Sequence, residues 1–418
     1  MGREDYAMTN IGFHYFPDTV HYQKKDLDTW LPKLKELKAS WLTLRAPLQR
    51  AIPEDFIKEL IKADIQPLLH FHLSPDQLPT QDQCKLFFDT YARWGVEYVI
   101  LFDRPNVREA WGSISWAQSD LVERFLDLYL PLAEQALKSG LIPVFPPLEP
   151  GGDYWDTMFL RAALVGLQRR GSKPLLDAVV LSAYAGTNGH GLNWGLGGPE
   201  RWPDSHPYFN PEGSEDHRGF RIVDWYLALS ETVLERRLPL LMLGLKGSHE
   251  QAEDNQQDAQ IAQLLSGKQV TGVEPLPEEV LGGMFWLLAA DAESEFRDEA
   301  WYTADGQANP VAEAYQGLYA PRSEKARGGY RIDHYLLLPT YEWGVADWHL
   351  EVIRGFIKKH QPTVGFSLRE AAHAKRVTIL GGEEHFNEDD LSQLRNQGSV
   401  VRRIKGDGTK VAAQLAAI

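Results

Sequence analysis

Cysteine is almost absent from this 418-residue chain: the single Cys84 rules out an intramolecular disulfide. Its spacing with Phe87, Phe88 and Tyr91 reads as the apolar face of a helix, so it is a packed core thiol with no redox information in it. Long apolar runs are missing too. None approaches the roughly 18 residues that a membrane-spanning helix needs, and residues 1–10 are polar, without the apolar centre of a secretory leader. The compartment stays open: the protein remains in the cytoplasm, or it works at the cell envelope or outside the cell after loss of a leader. Positive charge is scarce over most of the length, with 43 Lys and Arg against 58 Asp and Glu, a net charge of −15. Residues 322–418 hold 15 basic against 12 acidic side chains, which leaves 28 against 46 before them. The larger part is thus near −18 and the tail near +3, which argues against a nucleic-acid partner for the larger part. Internal repeats and low-complexity tracts are also lacking.

What is present is ordinary for a globular protein, 43% hydrophobic and 24% charged, but longer than one average domain. Short apolar runs that read as strands lie at 11–16, 41–46, 66–73, 98–103, 142–146, 178–184, 240–245 and 283–288. Amphipathic helical patterns separate them. One at 26–39 carries Leu27, Trp30, Leu31, Leu34 and Leu37 on one stripe, and one at 120–139 carries Leu121, Phe125, Leu128, Leu132 and Leu137 before Gly140 stops it. Eight such alternations in about 320 residues predict an α/β fold, a (β/α)8 TIM barrel with insertions over 1–320. The charged, glycine-rich stretch 321–330 reads as a linker. Beyond it strands at 335–338, 363–366, 376–380 and 400–404 alternate with helices at 348–359, 368–374 and 388–397, a small α/β, Rossmann-like sandwich over 331–418. Two loops stand out, the proline-rich 146–152 around Glu149 and the 185–217 connection rich in Gly, Trp, Tyr and His. Both belong on the face of the barrel where such folds place their sites.

The run Tyr98-Val-Ile-Leu-Phe-Asp-Arg-Pro-Asn106 resembles the fourth strand of clan A glycoside hydrolases, the cellulase and xylosidase superfamily, whose pattern is apolar run, Trp, Asn, Glu, Pro, Asn. Arg104 stands at the glutamate, and a permanent cation cannot protonate a glycosidic oxygen. Arg45 in Leu42-Thr-Leu-Arg45 looks like the arginine that ends the second strand of that clan. Asp177-Ala-Val-Val-Leu-Ser-Ala-Tyr184 is similar to the sixth strand, with Ser182 in the place of a histidine. Phe285-Trp286 matches the eighth-strand tryptophan that floors a sugar ring, and residues 301–318 resemble the closing segment after it. On the seventh strand, Leu240-Leu-Met-Leu-Gly-Leu-Lys-Gly247, the resemblance puts Leu245 at the nucleophile, with Lys246 beside it, and residues 237–249 contain no Asp or Glu at all.

Other carboxylates near the expected mouth are Asp103 and Glu149, although an adjacent strand residue faces the opposite way unless the backbone is locally distorted. Glu250 follows the seventh strand in a polar loop and reads as solvated. His70 and His72 share a strand face in the HxH spacing of some barrel metallohydrolases, but no further ligand set follows. They line the mouth as hydrogen-bonding groups or are packed polar residues, and neither metal nor cofactor is expected. A nucleophile role for Ser182 lacks the glycine elbow such serines need. His14, Arg45, His72, Asp103, Asn106, Tyr184, Trp194 and Trp286 form the expected ligand-binding set, since flat sugar rings stack on aromatics and hydroxyls need planar donors; packing at the strand ends is the plainer reading of the same residues.

In the tail, Arg376-Val-Thr-Ile-Leu-Gly-Gly-Glu383, Leu394 and Val400-Val-Arg-Arg-Ile-Lys-Gly-Asp407 resemble one copy of the type 2 cell-wall-binding repeat, which implies an anionic wall polymer as partner; a generic small α/β domain with a Gly-Gly turn accounts for the same pattern. The expectation is a catalytically inactive glycosidase-like barrel that binds a carbohydrate or serves as a scaffold. The alternatives are an active hydrolase using Asp103 and Glu149, and a purely structural protein. The sequence leaves the oligomeric state open.

Overall fold

Eight short apolar strands build one wall: β1 (Ile11–His14), β2 (Trp41–Arg45), β3 (Gln66–Phe71), β4 (Tyr98–Leu101), β5 (Ile142–Val144), β6 (Leu181–Tyr184), β7 (Leu240–Leu245) and β8 (Val280–Phe285). The structure is a computed structural model describing residues 10–247, 255–319, 332–339, 347–383, 385–396, 399–406 and 408–416. The chain divides into two compact units, Met1–Ala320 and Pro321–Ile418. In the first, the strands run β5-β4-β3-β2-β1-β8-β7-β6 in one parallel sheet. A parallel bridge between Val144 and Val180 brings β5 to β6 and completes the ring, with Phe145 N–H donating to the Val180 carbonyl at 2.7 Å. This is the predicted TIM barrel.

Strand alternation sorts the side chains. Leu68, Ile100, Val144, Leu241, Leu243 and Met284 pack together inside the ring. Leu240, Met242 and Leu245 join the layer between the strands and the helices. The helix Lys24–Glu36 buries Leu27, Trp30 and Leu34 there, and Leu121–Lys138 buries Phe125, Leu132 and seven others before Gly140 turns left-handed at φ 93°.

Only the seventh strand keeps both expected ends; five others end one to two residues early, and the shifts on the fourth, sixth and eighth have local causes. The fourth stops at Leu101, because Phe102 (φ 74°) and Arg104 (φ 45°) are left-handed and leave the ladder. The eighth begins at Val280: Gly282 and Gly283 look like strand breakers, but a Cβ on Gly282 would meet Trp41 Nε1 at 2.9 Å and one on Gly283 would meet Leu245 Cδ1 at 2.6 Å. The wall needs glycine where large neighbours lean in. The sixth begins at Leu181, since Ser172 caps a short helix, Lys173–Ala178, by accepting from Leu175 N–H. Past β8 the short strands β9 (Ala289–Ala290) and β10 (Tyr302–Thr303) pair in parallel.

The second unit has β11 (Ile332–Leu337), β12 (Thr363–Gly365), β13 (Ala374–Leu380) and β14 (Val400–Ile404) in a parallel sheet of order β12-β11-β13-β14. Both faces are covered: Tyr335, Leu337, Val377 and Ile379 pack on one side, Leu336, Leu338, Leu380 and Ile404 on the other. A closing helix, Gly408–Ala416, was not foreseen, and the linker 321–330 lies outside the described residues. No helix among the described residues is long and apolar enough to cross a membrane.

Candidate binding site at the barrel mouth

The left-handed turn after β4 decides what the mouth contains. With Phe102 and Arg104 both at positive φ, strand parity no longer applies, and Asp103 and Arg104 both reach the mouth. Tyr184, at the end of β6, donates its hydroxyl to Asp103 Oδ1 at 2.6 Å. The Arg104 guanidinium lies over the Tyr184 ring, 4.7 Å from its centre. Arg104 Nε is 3.3 Å from Glu149 Oε2 and 3.9 Å from Asp103 Oδ2. Those two legs cap the separation of the carboxylate oxygens at 7.2 Å, with the guanidinium between them.

The β7 side has a similar device. Gly244 is left-handed at φ 58°, and the pairing of β7 with β8 shifts register between Met242 and Leu245. Leu245, the position at which the resemblance seeks a nucleophile, is fully buried in the strand–helix layer rather than at the mouth. Lys246 takes the mouth position instead, paired with Glu299 at 3.0 Å. Cations, Arg104 just past β4 and Lys246 just past β7, therefore line the mouth at or beside the two positions where the resemblance seeks carboxylates.

Three histidines lie beneath. His14 accepts from Gly244 N–H through Nε2 at 3.2 Å and meets Trp286 edge to face at 5.2 Å. His70, buried, bonds the Phe102 carbonyl through Nε2 at 2.9 Å, and its ring lies 4.2 Å from that of His72. His72 Nδ1 is 3.8 Å from Asp103 Oδ2. Burial is the first cause that lowers all three, His14 to about 3 and His72 well below the ordinary range, with neighbouring positive or protonatable groups adding to it. They are neutral near pH 7 and present ring nitrogens as hydrogen-bonding groups. Burial raises Glu149, an effect that Asp103 reinforces and Arg104 opposes. Burial also raises Tyr184 well above its usual range, with Asp103 next. For Arg104 burial opposes the charge, but Tyr184, Asp103 and Glu149 outweigh it and hold the guanidinium protonated.

Above this floor opens a cleft of about 1000 Å³, lined among others by Arg104, Glu149, Tyr184, His190, Lys246 and Trp286. Trp286, followed by a cis peptide, sits just past β8 with Phe296 perpendicular to it at 5.4 Å. Of the expected ligand set, Trp286 and Tyr184 line the cleft, His14 and Asp103 contact those two, and His72 lies one layer further back, 3.8 Å from Asp103. Arg45 is exposed and donates to the Pro17 carbonyl at 2.5 Å. Asn106 is fully buried, and its amide is engaged with Glu149 N–H and carbonyl and the Tyr154 carbonyl at 2.8–3.0 Å, so it ties two loops together. Trp194 does not line the cleft; it stacks on His190 at 4.0 Å and donates to Asp216, the partner of Arg218, and both His190 and Arg218 do line it. Ser182 donates to the Phe145 carbonyl at 2.7 Å inside the wall, and Glu250 lies outside the described residues.

Thr187, His190 and Arg218 also line the cleft, and residue-by-residue reading missed them. The signal that could have found Thr187 and His190 was the length and composition of the 185–217 connection; Arg218 lies just beyond it. Among the described residues, the grouping of His and carboxylate atoms close enough to hold a metal is Asp18, His21 and Asp291, none of which lines the cleft.

No protein-family model and no curated protein matches the chain. Among solved structures it is similar to a monomeric β-xylosidase from Caulobacter crescentus CB15, with 14% identity over 75% of this chain and 68% of that one and a TM-score of 0.46. It is also similar to a GH5_18 protein from Bifidobacterium longum subsp. longum ATCC 55813, with 12% identity, 95% and 97% coverage and a TM-score of 0.43. A third is Bacteroides uniformis β-glucuronidase 2, with 12% identity over 79% of this chain but only 38% of that one, TM-score 0.44. The barrel itself stands on the strand order and closure of this chain.

Proposed function

We propose that the barrel mouth is a glycoside-hydrolase-like carbohydrate-binding site that does not hydrolyse its ligand. The observation that carries this reading is the Arg104 guanidinium lodged between Asp103 and Glu149 and stacked on Tyr184. Glycoside hydrolysis passes through an oxocarbenium-like, positively charged sugar. A cation beside such a charge opposes it, and the same guanidinium engages the two carboxylates that would otherwise be free to serve as acid and nucleophile. Ground-state binding of a neutral sugar bears no such penalty. Trp286 offers a stacking face with His14 against its edge, and Tyr184, held by Asp103, offers a polar edge in the same cleft.

A second reading has its own support: Glu149 is raised by burial, as a general acid must be, and lies within 7.2 Å of Asp103. In it Asp103 and Glu149 would hydrolyse by nonstandard roles once Arg104 swung aside. For the C-terminal unit we extend the proposal to docking on an anionic wall polymer, on the strength of the tail's net positive charge near +3.

Thermal denaturation of the full chain with a panel of oligosaccharides tests the main reading. At least one should raise the midpoint in the parent and not in Trp286→Ala. No stabilisation by any of them would leave the scaffold reading in its place.

A further inference from the structure

Two adjacent aromatic rings stand in solvent on the loop after β6: Tyr208 is 70% exposed and Phe209 64%. Large exposed aromatics side by side in a polar loop mark a contact surface more often than a single one does. These two are held in place. Tyr208 sits in the left-handed region at φ 65°, a conformation that costs a non-glycine residue stability unless its surroundings fix it. What fixes it is Trp155: the rings lie 4.9 Å apart, and Trp155 N–H donates to the Tyr208 hydroxyl at 3.3 Å. Phe209 exchanges both backbone hydrogen bonds with His206, at 3.0 and 3.1 Å, and Asn210 ties the loop to the Ser214 carbonyl at 2.9 Å.

This platform is continuous with the cleft. Arg218 lines the cleft, and its guanidinium lies over the other aromatic in the path, Trp155, at 5.7 Å. Gly151 closes the seam: a Cβ there would meet Arg218 Cδ at 3.0 Å and Trp155 at 3.6 Å, and the residue is left-handed at φ 72°. From Trp286 the surface runs past Glu149 and Pro150, over Arg218, to Tyr208 and Phe209, with the buried Trp155 beneath as the support that Arg218 and Tyr208 share. Along it, an aromatic face at each end flanks the half-exposed Arg218 guanidinium, which the buried Asp216 holds at 2.7 Å, an arrangement that suits the apolar faces and hydroxyl rims of linked sugars.

We infer that the ligand is a chain of several sugars rather than a single residue, with one end on Trp286 and the far end stacked on Tyr208 and Phe209. This rests on the carbohydrate reading of the mouth and names the class of ligand that the same site takes.

Calorimetric titration of the full chain with cello-, xylo- and laminari-oligosaccharides, from disaccharide to hexasaccharide, tests it. Affinity should climb with length for the backbone that binds, and Tyr208→Ala/Phe209→Ala should weaken the hexasaccharide about tenfold, the scale of one lost aromatic contact, while leaving the disaccharide unchanged. Phe209→Ala alone, which removes a 64% exposed ring and leaves the Tyr208–Trp155 contact in place, gives the same comparison if the double variant does not fold. A disaccharide that binds as tightly as the hexasaccharide, or a hexasaccharide indifferent to both variants, overturns the extended site and leaves the mouth reading standing. Binding of no oligosaccharide at any length overturns both.

Discussion

Replacing His14 by glutamine should remove a defined part of the acid sensitivity of the barrel. His14 is 6% exposed and is held at about 3 by burial first and by His70 next, with Arg104 in the same sense and Asp103 opposing. The native state thus keeps the ring neutral, whereas the unfolded chain takes up a proton below about pH 6.5. The unfolded state binds more protons throughout that window, so stability is full above about 6.5 and falls as pH drops toward 3. Between pH 7 and 4.5 the loss from this one group is about 2.5 kcal/mol. Because pH 4.5 lies well above the native value, that figure depends mainly on the unfolded one. His14→Gln retains an oxygen to accept from Gly244 N–H, the bond His14 makes through Nε2 at 3.2 Å. Urea unfolding followed by tryptophan fluorescence at the two pH values is the assay. The parent should lose about 2.5 kcal/mol more than the variant on acidification. An equal loss in both proteins would mean that His14 is protonated in the folded barrel, and the neutral floor of the mouth would have to be abandoned.

Three further outcomes follow from the same geometry. Asn106→Ala removes three hydrogen bonds from a fully buried amide and should cost about 2–4 kcal/mol in urea unfolding; a cost under about 0.5 would mean that the two loops do not depend on it. Gly244→Ala forces a side chain into φ 58° with its Cβ 2.8 Å from Tyr184 Cδ1, so the thermal midpoint should fall and oligosaccharide affinity with it; an unchanged midpoint would contradict the turn assigned to β7. Arg104→Met takes away the cation that opposes the upward shift of Glu149, so the carboxyl midpoint, followed by NMR, should rise further; a fall would place Glu149 away from Arg104.

The barrel was legible because its evidence is repeated: eight apolar runs spaced by amphipathic helices leave little freedom in the architecture. The mouth was less so, because it is made where alternation breaks. Counting by twos along β7 puts Leu245 with Leu241 and Leu243 inside the ring, and only the left-handed Gly244 sends it outward and Lys246 inward. The same happens after β4, where nothing in Phe102-Asp103-Arg104 announces two positive φ values, since none of the three is glycine. Asp103 needed that distortion to reach the mouth, and the distortion is there. Trp286 and Tyr184 were found because they belong to the eighth- and sixth-strand motifs that carry the resemblance. His190 and Arg218 come from irregular chain, whose course follows tertiary contacts rather than any period. The last helix, Gly408–Ala416, escaped because it shows the core only Val411 and Leu415.

The central claim is binding without turnover, and prolonged incubation of the full chain with an oligosaccharide that stabilises it, followed by chromatographic analysis of the sugar, tests it most directly. The account predicts an intact ligand, in the parent and in Asp103→Asn and Glu149→Gln alike. Shorter products that accumulate with the parent and vanish with either variant would contradict it, and would make Asp103 and Glu149 the catalysts of a hydrolase.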